Sequence, residues 1–135
     1  MRVVIDTNVW VSAALAPGPP RDVLKAWTSH TSIEVVMCLE LYEEIAEVLL
    51  KREKIRKWLT IDEAQTYLDA LRALVDFAPN PLVEEVGLRD SADSYIVALA
   101  RQGRCDFIVT GDKDSLEWPD QRPTCLTPKE FLSRL

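Results

Sequence analysis

Short runs of β-branched and apolar residues alternate along the chain with segments of helical period. Arg2 to Ile5 and Ile33 to Met37 predict buried strands. Asp106 to Thr110, rich in Phe, Ile and Val, predicts another, and Asp76 to Pro79 and Thr124 to Leu126 are shorter candidates. Between them, helical spacing is read over Asn8 to Leu15, Arg21 to Ser29, Leu39 to Arg52 and Ser91 to Arg101. Pro17-Gly18-Pro19-Pro20 separates the first two helices, and the last should end near Gly103. Thr60-Ile61-Asp62-Glu63 is a capping box opening a helix through Val75. Thr127-Pro128-Lys129-Glu130 combines a cap, a first-turn proline and a capping acid, so a helix should close the chain.

Strands separated by helices predict an α/β fold, a parallel sheet with helices on both faces. The 135 residues show no repeat or linker, and one domain over 1–135 is expected. In such folds ligands gather beyond the carboxyl ends of the strands, so the residues just after each strand carry most information. Asp6 follows the first strand directly. Asp112 follows Phe107-Ile108-Val109-Thr110-Gly111, with Asp114 two residues on. Turn chemistry accounts equally well for any one of these acids.

On the helix from Leu39, residues Leu41, Ile45, Val48 and Leu49 form an apolar stripe, and Glu40, Glu43 and Glu47 lie opposite. Glu44 falls at the edge of the stripe. A carboxylate there is costly unless it reaches water, is paired or binds a cation. Asp93 continues the stripe of Ile96, Val97 and Ala100, with Asp90 one turn earlier. Capping of the helix start explains either acid as well. Asp6, Glu44, Asp93 and Asp112 come from four elements that the fold rule brings to one end of the sheet. Four clustered carboxylates repel and persist by protonation or by binding a hard divalent cation, for which oxygen donors suit magnesium or manganese. The six acids at 6, 44, 90, 93, 112 and 114 equal in number the net charge of −6. The acidity of the chain is thus accounted for by one candidate site.

Composition narrows the chemistry. Apolar residues make up 47%, which excludes a disordered chain. No apolar run reaches the roughly 20 residues of a membrane helix. Asp6 arrives too early for a secretory leader. Three unspaced cysteines argue for reduced thiols in the cytoplasm, and His30, the lone histidine, leaves no Ser-His-Asp triad to build. A carboxylate cage holding metal needs neither nucleophile. It activates water for phosphodiester hydrolysis, neutralises charge on the phosphoryl oxygens and steadies the leaving oxygen. Thr7, Asn8 and Thr110 are placed to support the acids as a second layer, or to act as caps and turn hydroxyls. The one dense basic run, Lys51, Arg52, Lys54, Arg56 and Lys57 with Trp58 next, reads either as an RNA-binding patch or as a solvated helix end.

The segments Val4-Ile5-Asp6-Thr7-Asn8, Leu41-Tyr42-Glu43-Glu44-Ile45, Arg89-Asp90-Ser91-Ala92-Asp93 and Ile108-Val109-Thr110-Gly111-Asp112-Lys113-Asp114 resemble, in order, the motifs of the PIN-domain ribonucleases, especially toxins of VapC type. Cys38 departs from a frequent serine and Ser91 from a frequent proline. The resemblance implies a three-layer α/β/α sandwich with a sheet of about five strands in the order 3-2-1-4-5. It implies Mg2+ or Mn2+ at Asp6, Glu44, Asp93 and Asp112, with Asp90 and Asp114 as the extra acids some members use. It further implies an RNA substrate, a homodimer and a cognate antitoxin. Two other readings compete. A haloacid-dehalogenase-type phosphatase also places Asp after the first strand, but wants a second Asp where Asn8 stands. A catalytically inert PIN-like module would bind a protein partner through exposed tryptophans.

Overall fold

The structure is a computed structural model and describes residues 1–82 and 91–135, without the side chains of 91–94. Its order is β1 (Arg2–Ile5), α1 (Thr7–Leu15), α2 (Pro19–Ser29), β2 (Glu34–Val35), β3 (Met37–Cys38), α3 (Leu39–Lys51), a 3-10 turn (Glu53–Lys57), α4 (Ile61–Leu74), β4 (Phe77–Ala78), α5 (Ser91–Gln102), β5 (Phe107–Val109), α6 (Lys113–Glu117), β6 (Thr124–Leu126) and α7 (Pro128–Leu132). All pairings are parallel, as the alternation of strand and helix predicts.

A four-stranded sheet runs β2-β1-β5-β6, and β3-β4 forms a separate pair. The expected single five-stranded sheet is therefore divided. The break is one residue wide: Val36 separates β2 from β3, and its amide still donates to Val3 O at 2.9 Å. Taken as one interrupted strand, Glu34–Cys38 lies between β4 and β1, which restores the order 3-2-1-4-5. Val36 sits against the end of α5, where a Cβ on Gly103 would come within 3.1 Å of its Cγ1. Only a glycine there lets the helix end approach the kink so closely.

The core is continuous through the sheet. Val3, Val4, Ile5, Ile108 and Val109 are buried in the strands, and Trp10, Leu41, Ile45, Leu49 and Phe131 cover them from the helices. Both capping boxes form, with Thr60 paired to Glu63 and Thr127 to Glu130. Among the boundaries that differ from the sequence expectation, two have a clear local cause. The second helix starts at Pro19, not Arg21, because prolines in a first turn sacrifice only amides that lack partners anyway. Gly18, at φ 145°, supplies the bend that no larger residue makes cheaply. The third helix stops at Lys51, so Lys54, Arg56 and Lys57 of the basic run lie on the 3-10 turn beyond it, with Arg52 at the junction. At the start of α3, Cys38 gives no side-chain cap. Asn80 Oδ1 instead accepts from the Glu40 amide at 3.0 Å.

Candidate active site

Parallel register places Ile5 beside Val109, so the residues that follow, Asp6 and Thr110, emerge together. The Asp6 amide donates to Val109 O at 2.9 Å. Asp6 is also the N-cap of α1: its Oδ1 accepts from the Thr7 amide at 2.8 Å. Its Oδ2 accepts from Thr110 Oγ1 at 2.8 Å and from Asn8 Nδ2 at 3.1 Å. Thr110 in turn accepts from the Asp112 amide at 2.9 Å, and Asn8 Oδ1 accepts from the Gly111 amide at 2.9 Å. One closed network thus ties the turn after β1 to the turn after β5. Thr7, Asn8 and Thr110, expected as supports, all take part in or border it.

Asp6 is buried, and burial pushes its carboxyl above the ordinary value of 3.8. The bonds from Thr110 and Thr7 oppose that rise. The negative charges of Glu44 and Asp112 add to it. These three carboxylates line one cavity of about 410 Å³, together with Thr7, Asn8 and Arg52. Asp112 is half-buried and does two jobs, since its Oδ2 also accepts from the amide and hydroxyl of Ser115 as the cap of α6. Glu44 is exposed, not half-sunk in the core as its position at the stripe edge suggested. The inner stripe of α3 is Leu41, Tyr42, Ile45 and Leu49, and Glu44 and Val48 sit beside it, facing the cavity.

Two features escaped the sequence. Tyr95 on α5 is buried, and its hydroxyl donates to Glu44 Oε2. Burial and that bond to an anion hold the phenol well above its ordinary value, hence protonated. Thr7 Oγ1 is the other: only 8% of the residue is exposed, and among the described residues its hydroxyl makes no hydrogen bond of ordinary geometry, although it lies near enough to the Tyr95 hydroxyl to influence that phenol.

The remaining expected site residues are scattered. Asp90 and the side chain of Asp93 lie outside the described residues, although Asp93 falls in α5. Asp114 is exposed in the first turn of α6 and is not among the residues lining the cavity. Of the basic run, Arg56 is taken up by the fold: its guanidinium donates to Leu49 O and, at 3.2 Å, to Leu59 O. Lys51, Arg52, Lys54 and Lys57 are exposed.

Among the described residues, no group of three or more His, Cys, Asp or Glu is arranged to hold a metal ion. The donors around the cavity still fit a hard divalent cation. The carboxylates there offer oxygen donors, and burial together with the charges of Glu44 and Asp112 raises the Asp6 carboxyl.

A family model described as a PIN domain matches residues 2–114. No curated protein matches the chain. Among solved structures, the fold is similar to VapBC2 from Rickettsia felis bound to a DNA fragment from their promoter, with a TM-score of 0.65 at 15% identity, covering 94% of this chain and 98% of that one.

Proposed function

The chain belongs to the PIN-domain family, and from that premise we propose that it is a divalent-metal-dependent endoribonuclease working at the cavity between β1, α3 and β5. The observation that carries this reading is Asp6, a buried carboxyl raised by burial and by two neighbouring acids in one open cavity. Such an arrangement costs stability and has no structural use that an uncharged cap would not serve. Asp6, Glu44 and Asp112 would hold Mg2+ or Mn2+, with Asp93 from α5 as the fourth acid and Asp90 and Asp114 further out. When bound, the ion supplies Lewis acidity toward water and the phosphoryl oxygens. The chain does the positioning. Thr110 and Asn8 fix the Asp6 carboxylate, Ser115 fixes Asp112, and Tyr95 fixes Glu44. Cleavage makes the protein a toxin held as a cytoplasmic homodimer and silenced by a cognate antitoxin. Among the described residues no helix is long and apolar enough to cross a membrane.

The test is cleavage of a structured RNA with magnesium, manganese or EDTA. Wild type cuts with metal and not with EDTA. Asp6→Asn and Asp93→Asn each lower the rate by about a hundredfold or more. Equal cutting by wild type and both variants overturns the site. RNA left intact with either ion overturns the activity in favour of an inert, partner-binding module.

A further inference from the structure

We propose that the 3-10 turn after α3 is a subsite for an unpaired RNA strand, with Arg52 gripping phosphate at the cavity rim and Trp58 stacking on a base. The identity of the polymer rests on the nuclease reading above; the placement of the subsite rests on the turn itself.

Trp58 is 65% exposed, whereas Trp10 and Trp118 are buried and Trp27 packs edge-on against Trp10. An indole left in water forgoes one of the largest burial gains available to a side chain. It is not left there by a loose loop. Ile55 and Leu59 on either side are buried. The Trp58 amide donates to Ile55 O at 2.9 Å. Arg56 ties the turn at both ends, to Leu49 O of α3 and to Leu59 O. The backbone that presents the indole is therefore braced.

Charge points the same way. With Arg56 bonded inward, Lys51, Arg52, Lys54 and Lys57 form an exposed basic edge on a chain of net charge −6. Among the described residues none of the four has an ion-pair partner. Arg52 is the cation lining the acid cavity, yet it is bonded to none of the three carboxylates there. A guanidinium that remains unpaired beside acids is free to take a phosphate by two parallel bonds. A 3-10 turn of five residues spans roughly 10 Å, about three stacked nucleotides. A strand gripped at Arg52 thus reaches Trp58 within a few nucleotides. A duplex would satisfy the lysines but offers no free base face to the indole, so the subsite selects an unpaired strand.

The experiment is fluorescence anisotropy with a labelled 12-nucleotide oligouridine and with an RNA duplex of equal length, in EDTA so that binding alone is read, over a range of salt. Wild type binds the single strand more tightly than the duplex. Trp58→Ala weakens single-strand binding roughly tenfold, and Trp58→Phe restores most of it. Arg52→Gln lowers the slope of log affinity against log salt by about 0.7, one phosphate contact on a single strand. Melting curves check that each variant is folded. Equal affinity for strand and duplex, or unchanged binding by Trp58→Ala, overturns the subsite. So does displacement of the RNA by oligoglutamate at equal charge concentration, which would make the edge a protein-docking surface. The two proposals fail separately. Metal-dependent cleavage with both variants binding as wild type removes the subsite and keeps the nuclease. Trp58-dependent binding without cleavage removes the nuclease and keeps the subsite.

Discussion

Thr110→Val tests whether the network around Asp6 sets the charge of the site. Valine has nearly the same shape, and Thr110 is 0% exposed, so packing is preserved and only the hydroxyl is lost. Three bonds go with it: the one donated to Asp6 Oδ2, the one accepted from the Asp112 amide and a long one of 3.4 Å accepted from Asn8 Nδ2. A bond to a carboxylate contributes roughly 1.5–3 kcal/mol and an orphaned amide costs about 1–3, so with partial relaxation the variant should lose about 2–4 kcal/mol. For a chain of 135 residues each kcal/mol moves the melting temperature by roughly 3–4 °C, so the expected fall is about 6–16 °C. The pH dependence separates this from a packing defect. Asp6 already titrates above 3.8, and the Thr110 bond is the strongest influence holding it down. Without that bond its pKa rises further. The stability linked to a raised carboxyl is fully present below the unfolded value and is lost as pH rises through the folded one. The gap between wild type and variant should therefore shrink toward pH 4 to the pH-independent cost of the orphaned amide and widen toward pH 7, and Thr110→Ser should close it. In manganese calorimetry the pH needed for binding should shift upward in the valine variant. A gap independent of pH, with unchanged manganese binding, would refute the reasoning.

Tyr95→Phe removes the bond to exposed Glu44 and so should cost stability only about 0.5–1.5 kcal/mol. Manganese affinity, read by calorimetry, should fall roughly 10-fold or more, since it is the orientation of a ligand that is lost. Arg56→Ala should do the reverse. It strips two carbonyls of their donor and lowers the melting temperature by several degrees, about 1–3 kcal/mol. Manganese binding should be unchanged. Asp112→Asn keeps an acceptor for Ser115 and hence the α6 cap, so it should melt within a few degrees of wild type. If the cavity is the nuclease site, metal-dependent cleavage should nevertheless be lost, and retention of both properties would remove Asp112 from it.

Much of this arrangement was legible before any coordinates, because it rests on local rules. A β-branched run followed at once by an acid marks a strand end, and parallel register does the rest: Asp6 and Thr110 meet because Ile5 and Val109 pair. The capping boxes at Thr60 and Thr127 are equally local. What stayed hidden has no period to read. A strand divided by Val36 alone looks like one strand. The Tyr95–Glu44 bond joins residues 51 apart on two helices. Arg56 is indistinguishable from Lys54 or Lys57 in a charge run until its guanidinium is seen capping α3.

An acid after a strand can cap a turn or serve chemistry, and at Asp6 and Asp112 the geometry leaves room for both. Each caps a helix with one set of bonds while its residue lines the cavity. The caps explain how the acids are held; they do not require that both be acids. Asparagine caps a helix about as well as aspartate and would relieve the mutual repulsion that, with burial, raises Asp6. Two acids stand together at one cavity where neutral caps would be less costly, so turn geometry alone does not account for them.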